Sequence, residues 1–230
     1  MMSEARLEAR GVAKKFFRKT RESAQDFYAV HPTDLSLSSG ELVVLKGRSG
    51  SGKSTLLNMM AGLLEPSEGS VLFDDVDLYA LADVELSKLR NASIGVVPQG
   101  HTAIHSLTVV QNVMLPHLMY HADDGCEKRA LELLEQLGVR VLADSYPSEL
   151  SGGELRRVSI ARALMCEPTV VFADEPTGDL DDENTAVVLQ MLRDYADSGA
   201  AVMVVTHEQV AESYADRILR MDAGVVSNLK

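Results

Sequence analysis

Gly47-Arg48-Ser49-Gly50-Ser51-Gly52-Lys53-Ser54-Thr55 fits the phosphate-loop pattern G-x-x-x-x-G-K-[ST]. Before it runs Leu42-Val43-Val44-Leu45-Lys46, a short apolar stretch that reads as a buried strand. After it, Leu56-Leu57-Asn58-Met59-Met60-Ala61 is rich in good helix formers. Strand, glycine-rich loop and helix together give the pattern a mechanism. The glycines let the backbone curl until successive N–H groups face one anion, and the helix adds the positive end of its dipole. Every residue from Gly47 to Thr55 is therefore a candidate phosphate ligand. Lys53 is placed to reach the outer phosphates of a nucleotide, and the Ser54 hydroxyl to ligate Mg²⁺.

A phosphate loop needs a carboxylate for its metal shell, and Val170-Val171-Phe172-Ala173-Asp174-Glu175 supplies one at the end of an apolar strand. Asp174 is the candidate for magnesium. Glu175 is the candidate general base toward the water that attacks the γ-phosphate.

Leu150-Ser151-Gly152-Gly153-Glu154 opens a further helix. Ser151 with Glu154 three residues on reads as a capping box. The two intervening glycines go beyond that need, and they allow the close backbone approach of a second anion site. Two phosphate-receptive helix ends with one Lys53 suggest a symmetric dimer. Each Ser151 segment would then cover the nucleotide held by the other copy's Lys53.

Between these motifs the coarse reading is strand from Arg6 to Val12, a solvated hairpin or loop over Lys14–Asp26, and strands near Phe27–Val30 and Leu35–Leu37. Pro66–Gly69 reads as a turn, Ser70–Phe73 as a strand, Val84–Arg90 as a helix and Ile94–Val97 as a strand. Helical periodicity over Leu107–Tyr120, Glu127–Leu137 and about Glu154–Met165 predicts a helical insertion at roughly 100–165. Strands return at Val170–Ala173 and Ala201–Val205, with a helix near Asp182–Asp197 between them, as a parallel crossover requires. The predicted architecture is an α/β nucleotide-binding core with a mostly parallel sheet, an antiparallel β edge and a helical lobe.

The 230 residues carry a net charge of −12, which disfavours a nucleic-acid backbone as the main partner. Cys126 and Cys166 have no metal-binding spacing and read as reduced thiols. No apolar run approaches the ~20 residues of a membrane span, and Met1–Arg6 lacks the apolar segment of a signal peptide. The expectation is a soluble intracellular chain whose membrane role, if any, needs a separate partner.

With these motifs in order, the chain resembles the ATP-binding subunit of an ABC transporter over nearly its whole length. The matching set is Gly47–Thr55, Gln99, Leu150–Glu154, Val170–Glu175, Gly178-Asp179-Leu180-Asp181 and His207. The resemblance implies one ATP-binding domain over residues 1–230 and an ATP-sandwich homodimer docked on a transmembrane permease at the inner face of the membrane. It also implies that Gln99 contacts magnesium and the attacking water, His207 the γ-phosphate, and that Asp181 couples the two sites. Read alone, Gln99 after Pro98 is a loop residue and a His at a strand end is structural. The adenine-stacking aromatic would be Phe16, with Phe17 as the neighbouring option; either could equally be core.

Two stretches depart from the usual family pattern: Glu154 stands where many members have Gln, and Gly100–His105 is more polar. Gln111–Pro116 and Ala173–Asp181 resemble the branch serving lipoprotein release, macrolide or peptide export, and cell division. Two other classes stay open at this level: an ATP-driven regulatory module for a permease-like protein, and a soluble non-transport ABC ATPase.

Overall fold

Buried parallel strands demand near-continuous apolar runs, because helices cover both faces. Three runs meet that demand: β3 (Leu42–Lys46), β7 (Val170–Asp174) and β8 (Ala201–Val205), with β7 and β8 buried throughout. The computed structural model describes residues 5–19, 24–100, 102–121 and 125–229, without the side chains of 18, 19, 24 and 25. In it β3, β7 and β8 join β6 (Ile94–Val97), β9 (Arg217–Asp222) and β10 (Val225–Asn228) in one six-stranded sheet, ordered β10-β9-β3-β8-β7-β6. All neighbours are parallel except the antiparallel edge strand β10. β8 lies between β3 and β7, in register Val44↔Val204 and Phe172↔Met203.

Side chains alternate across this sheet and divide the interior in two. Leu42, Val44, Val171, Ala173, Val202 and Val204 face one apolar cluster. That cluster is completed by α3 (Val109–Leu118), α4 (Cys126–Gln136), α5 (Gly152–Leu164) and α6 (Asp182–Asp197). Val43, Leu45, Val170, Phe172, Met203 and Val205 face the other cluster, with α1 (Lys53–Met60) and the second sheet. The second sheet is antiparallel, ordered β2-β1-β4-β5 from β1 (Ala5–Lys19), β2 (Ala24–Ser38), β4 (Glu68–Phe73) and β5 (Val76–Asp77). α2 (Asp83–Ser93) leads from it back to β6.

The segment expected as a solvated hairpin or loop, Lys14–Asp26, is the far end of two long paired strands, in register from Lys14↔Val30 to Lys19↔Ala24. Residues 20–23 lie outside the described residues. The alternation fails there because both faces of the ribbon meet water, so nothing selects apolar residues on one side. β9 and β10 carry no strand expectation from the sequence. Charges interrupt Arg217-Ile218-Leu219-Arg220-Met221-Asp222, yet Ile218, Leu219 and Met221 are buried. α3, α4 and α5 fall between β6 and β7 in the chain, where the helical insertion was expected. Thr108 and Ser151 cap α3 and α5 by accepting from Gln111 N and Glu154 N, so α5 begins at Gly152 rather than Glu154. Both described cysteines are free thiols.

Candidate nucleotide-binding site

The strand order decides which loops share an edge. The loops following β3, β8, β7 and β6 all leave from the carboxyl ends of neighbouring strands, where open α/β sheets bind ligands. That edge therefore carries, side by side, the phosphate loop, His207, the Asp174–Glu175 pair and Gln99. They line one cleft of about 1040 Å³, together with Gly178 and Asp179.

The loop after β3 has its shape enforced from outside. A Cβ on Gly47 would stand 2.3 Å from the Met221 carbonyl oxygen of β9. One on Gly52, at φ +105°, would stand 2.2 Å from the Ala29 carbonyl oxygen of β2. Only glycine fits either place. Gly224 N donates to Ser51 O at 2.9 Å, tying the β9–β10 turn to the loop. Lys53 is buried, and its ammonium donates to Gly47 O (2.9 Å) and Arg48 O (3.1 Å) across the ring it closes. Ser51 Oγ is buried without a hydrogen-bond partner. Arg48, Ser49 and Gly50 are exposed on the rim.

At the end of β7 Asp174 is buried, and burial pushes its carboxyl above the ordinary range, with the neighbouring Glu175 charge adding to the shift. The nearby Ser54 hydroxyl acts in the opposite direction. Glu175 has a left-handed backbone (φ 50°), and its N–H donates to Val205 O at 2.8 Å. A non-glycine residue in that region carries strain, which fits a side chain aimed for function. His207 Nδ1 lies 3.2 and 3.1 Å from the two Glu175 carboxylate oxygens. With its proton on Nδ1 the ring donates to that carboxylate and orients it.

Gln99 is exposed at the cleft mouth. The chain beyond it is pinned by buried Asn112, whose amide donates to the Ile104, Leu107 and Thr108 carbonyls and accepts from Ile104 N. Of the polar stretch Gly100–His105, His101 lies outside the described residues.

Ser151, Gly152, Gly153, Glu154 and Asp181 line a separate, shallower concavity of about 520 Å³. Glu154 accepts from Ser151 N (2.7 Å) and from the Ser151 hydroxyl (2.8 Å), which holds its carboxyl below the usual range. Asp181 caps α6, accepting from Asn184 N at 2.8 Å, and the same contacts lower its carboxyl. Leu180 and Asp179 press against Gly153, where a Cβ would meet Leu180 Cδ2 at 3.0 Å.

Phe16 does not line the cleft. It sits across the hairpin from Phe27, ring centroids 6.1 Å apart, and Phe17 is exposed. The aromatics at the cleft wall are Phe27 and Tyr28. Spacing alone does not single them out, because strand pairing brings residues of distant sequence to one end of the ribbon. Arg156 is also missed by sequence reading. An arginine in a helix reads as part of a solvated face, yet this one is buried and faces the cleft. A further groove between α4 and α6, lined in part by Arg129, Tyr195 and Tyr214, gathers none of these motifs.

Comparison with known proteins places this geometry. The ABC transporter model matches residues 30–178. The lipoprotein-releasing system ATP-binding protein LolD of Myxococcus xanthus (strain DK1622) is 38% identical over 225 residues, covering 97% of this chain and 99% of that protein. The protein of the same name from Pseudomonas syringae pv. tomato is 39% identical, covering 97% and 98%. A probable syringafactin export ATP-binding/permease protein, SyfD of Pseudomonas syringae pv. syringae, is 38% identical over 98% of this chain, which spans 34% of that longer protein. Among solved structures, the dimeric post-hydrolysis state of the ATP-binding cassette MJ0796 bound to ADP and Pi superposes with a TM-score of 0.90 at 35% identity, covering 97% of this chain and 99% of that one. A second dimeric structure of that cassette gives 0.89 at 36% identity, with the same coverage. With its phosphate loop, paired carboxylates and Ser-Gly-Gly helix cap set in that fold, the chain belongs to the ABC transporter family.

Proposed function

We propose that this chain is an ATPase subunit that binds and hydrolyses ATP to power a separate transmembrane permease in exporting or extracting a cargo. The observation that carries the reading is the single cleft. It brings the phosphate loop, Asp174, Glu175, Gln99 and His207 together at one sheet edge although they come from four different loops. No described helix is long and apolar enough to cross a membrane; the reading assigns the membrane work to a partner. The reading places the chain peripherally at the membrane's inner face, beside that partner. The reading takes residues 1–230 as one ATP-binding domain, with the helical segment at about 100–165 as its lobe.

Lys53 exchanges its two loop carbonyls for β- and γ-phosphate oxygens, and the N–H groups from Gly50 to Thr55 take the remaining charge. The Ser54 hydroxyl and the Asp174 carboxylate are hard oxygen donors lining the same cleft, a pair suited to Mg²⁺, with Gln99 in reach of it. When bound, the ion neutralises phosphate charge. It also relieves the buried Asp174 carboxylate of an unfavourable environment. Glu175 then accepts a proton from water as the water oxygen bonds to Pγ and the bond from Pγ to the bridging oxygen breaks. ADP and inorganic phosphate leave. His207 holds Glu175 in its strained conformation and faces the transferred phosphoryl group.

The Ser151–Glu154 end of α5 has no phosphate partner of its own chain, and its concavity is separate from the cleft. Two copies related by a two-fold axis would each close the other's site with it. The dimeric form of the similar MJ0796 cassette supports this arrangement.

Glu175→Gln keeps the shape of the site and removes the base. ATP affinity of the full chain should stay within about threefold, while turnover falls by about 10²–10⁴. Turnover at the wild-type rate in that variant would remove Glu175 from its role.

A further inference from the structure

We propose that Arg156 is a positioning residue for hydrolysis: it grips the carbonyls on either side of Gln99 and so sets where Gln99 stands over the nucleotide. The inference rests on the reading of Gln99 given above.

Arg156 is the fifth residue of α5 and only 3% exposed. Its Nη1 donates to Pro98 O at 2.8 Å and to Gly100 O at 3.5 Å. The Gln99 side chain has no hydrogen bond of its own among the described residues, so its placement depends on the backbone that carries it. The other end of the guanidinium points across the cleft floor. Nη2 lies 3.9 Å from where a Cβ on Gly178 would be, and Asp174, Glu175 and Asp179 supply the negative field around it. Nε is buried with no hydrogen bond. Burying a guanidinium with one unmet donor is costly for a helix whose neighbouring positions Val158 and Ile160 are apolar core. Stability alone does not account for a cation there.

Geometry gives it a task. Arg156 sits five residues beyond Ser151, about 7.5 Å along the helix axis. α5 is stiff, so displacement of its capped end carries Arg156 with it, and with Arg156 the 98–100 backbone. When the Ser151 end of one copy closes on the nucleotide of another, Gln99 of the first copy is repositioned in its own cleft. One nitrogen, Nη1, holds both carbonyls while Nη2 of the same rigid plane lies toward Gly178, so one planar group ties the 98–100 backbone to the cleft floor.

A double-mutant cycle on the full-length chain decides it. Arg156→Ala is expected to lower kcat at least about tenfold while the Kd for ATP changes less than about threefold. In a Gln99→Ala background the further loss should be under about twofold, because the residue it acts through is gone. Arg156→Lys, which keeps the charge but has a shorter side chain without the rigid guanidinium plane, should show most of the loss. It supplies the same readout if the alanine variant melts below the assay temperature. Multiplicative losses in the double variant, or unchanged kcat in either single Arg156 variant, overturn the proposal. Gln99→Ala turning over like wild type would instead overturn the reading of Gln99, and the inference with it. Additivity alongside a slow Gln99→Ala condemns the inference alone.

Discussion

The N-termini of α1 and α5 are both glycine-flanked helix ends built to receive anions, yet their surroundings differ. The α1 end is enclosed by its own chain: β2 and β9 crowd Gly52 and Gly47, Lys53 is folded inward, and Asp174 and Glu175 face it. The α5 end has satisfied itself. Ser151 and Glu154 exchange hydrogen bonds, and the segment lies open to solvent on one side. An enclosed end with a lysine is half of a binding site. An open end without one is a lid in search of a site, and in a symmetric assembly the same sequence supplies both.

Paired substitutions put that contrast at risk. The largest effect is expected from Gly52→Ala, which forces a Cβ against backbone in a left-handed conformation. About 3 kcal/mol of stability should be lost in denaturant titration. Gly153→Ala should stay within about 1 kcal/mol, because the atom it meets first is the end of the Leu180 side chain and a helical Gly→Ala change is itself favourable. Equal losses would mean the two ends are equally enclosed.

Next in size, Lys53→Ala should weaken ATP binding by the full chain about thirty- to one-hundredfold, the worth of a charge-assisted contact to phosphate. Ser151→Ala should leave that affinity within about twofold and cost about 1 kcal/mol in α5 capping. It should also weaken the ATP-dependent dimer formed by Glu175→Gln, as read by analytical ultracentrifugation. Ser151→Ala lowering monomer affinity as much as Lys53→Ala would place α5 on its own chain's nucleotide.

The smallest effects concern protons, and they have opposite signs. Glu154 has a carboxyl held below its ordinary 4.5, so its contribution is present at neutral pH and is lost as pH falls through the lowered folded value. Glu154→Gln should cost about 0.5 kcal/mol at pH 7, a gap that closes on acidification. Asp174 is raised above its ordinary 3.8 by burial, so ionising it costs the ligand-free fold stability as pH rises through the raised value. Asp174→Asn should therefore raise the ligand-free Tm at pH 7, by roughly 1 kcal/mol of stability, and the gain should fade toward pH 4. A destabilised Asp174→Asn at neutral pH would contradict this account of the carboxylate.

The enclosed end was the more legible of the two from sequence. Its strand, loop and helix are contiguous, so spacing alone carries the pattern, and the Val170–Glu175 run announces itself as a fully apolar strand closing on two acids. What encloses it was not legible. Met221 comes from β9, whose charges break up the apolar signal, and Ala29 from a long ribbon whose outer faces both meet water. The capping box at Ser151 was readable for the same local reason as the phosphate loop. Arg156 was hidden because helical spacing gives no sign that a cation is turned inward. Phe27 and Tyr28 line the cleft through strand pairing, which spacing around Phe16 does not encode.

The ammonium of Lys53, parked on the carbonyls of Gly47 and Arg48, has one more consequence. It acts as a placeholder that spans the ring with the chain's own charge. An arriving polyphosphate displaces a tenant and need not mould a slack loop, so the site stays ready for exchange. Affinity there measures the difference between two sets of oxygens competing for one cation.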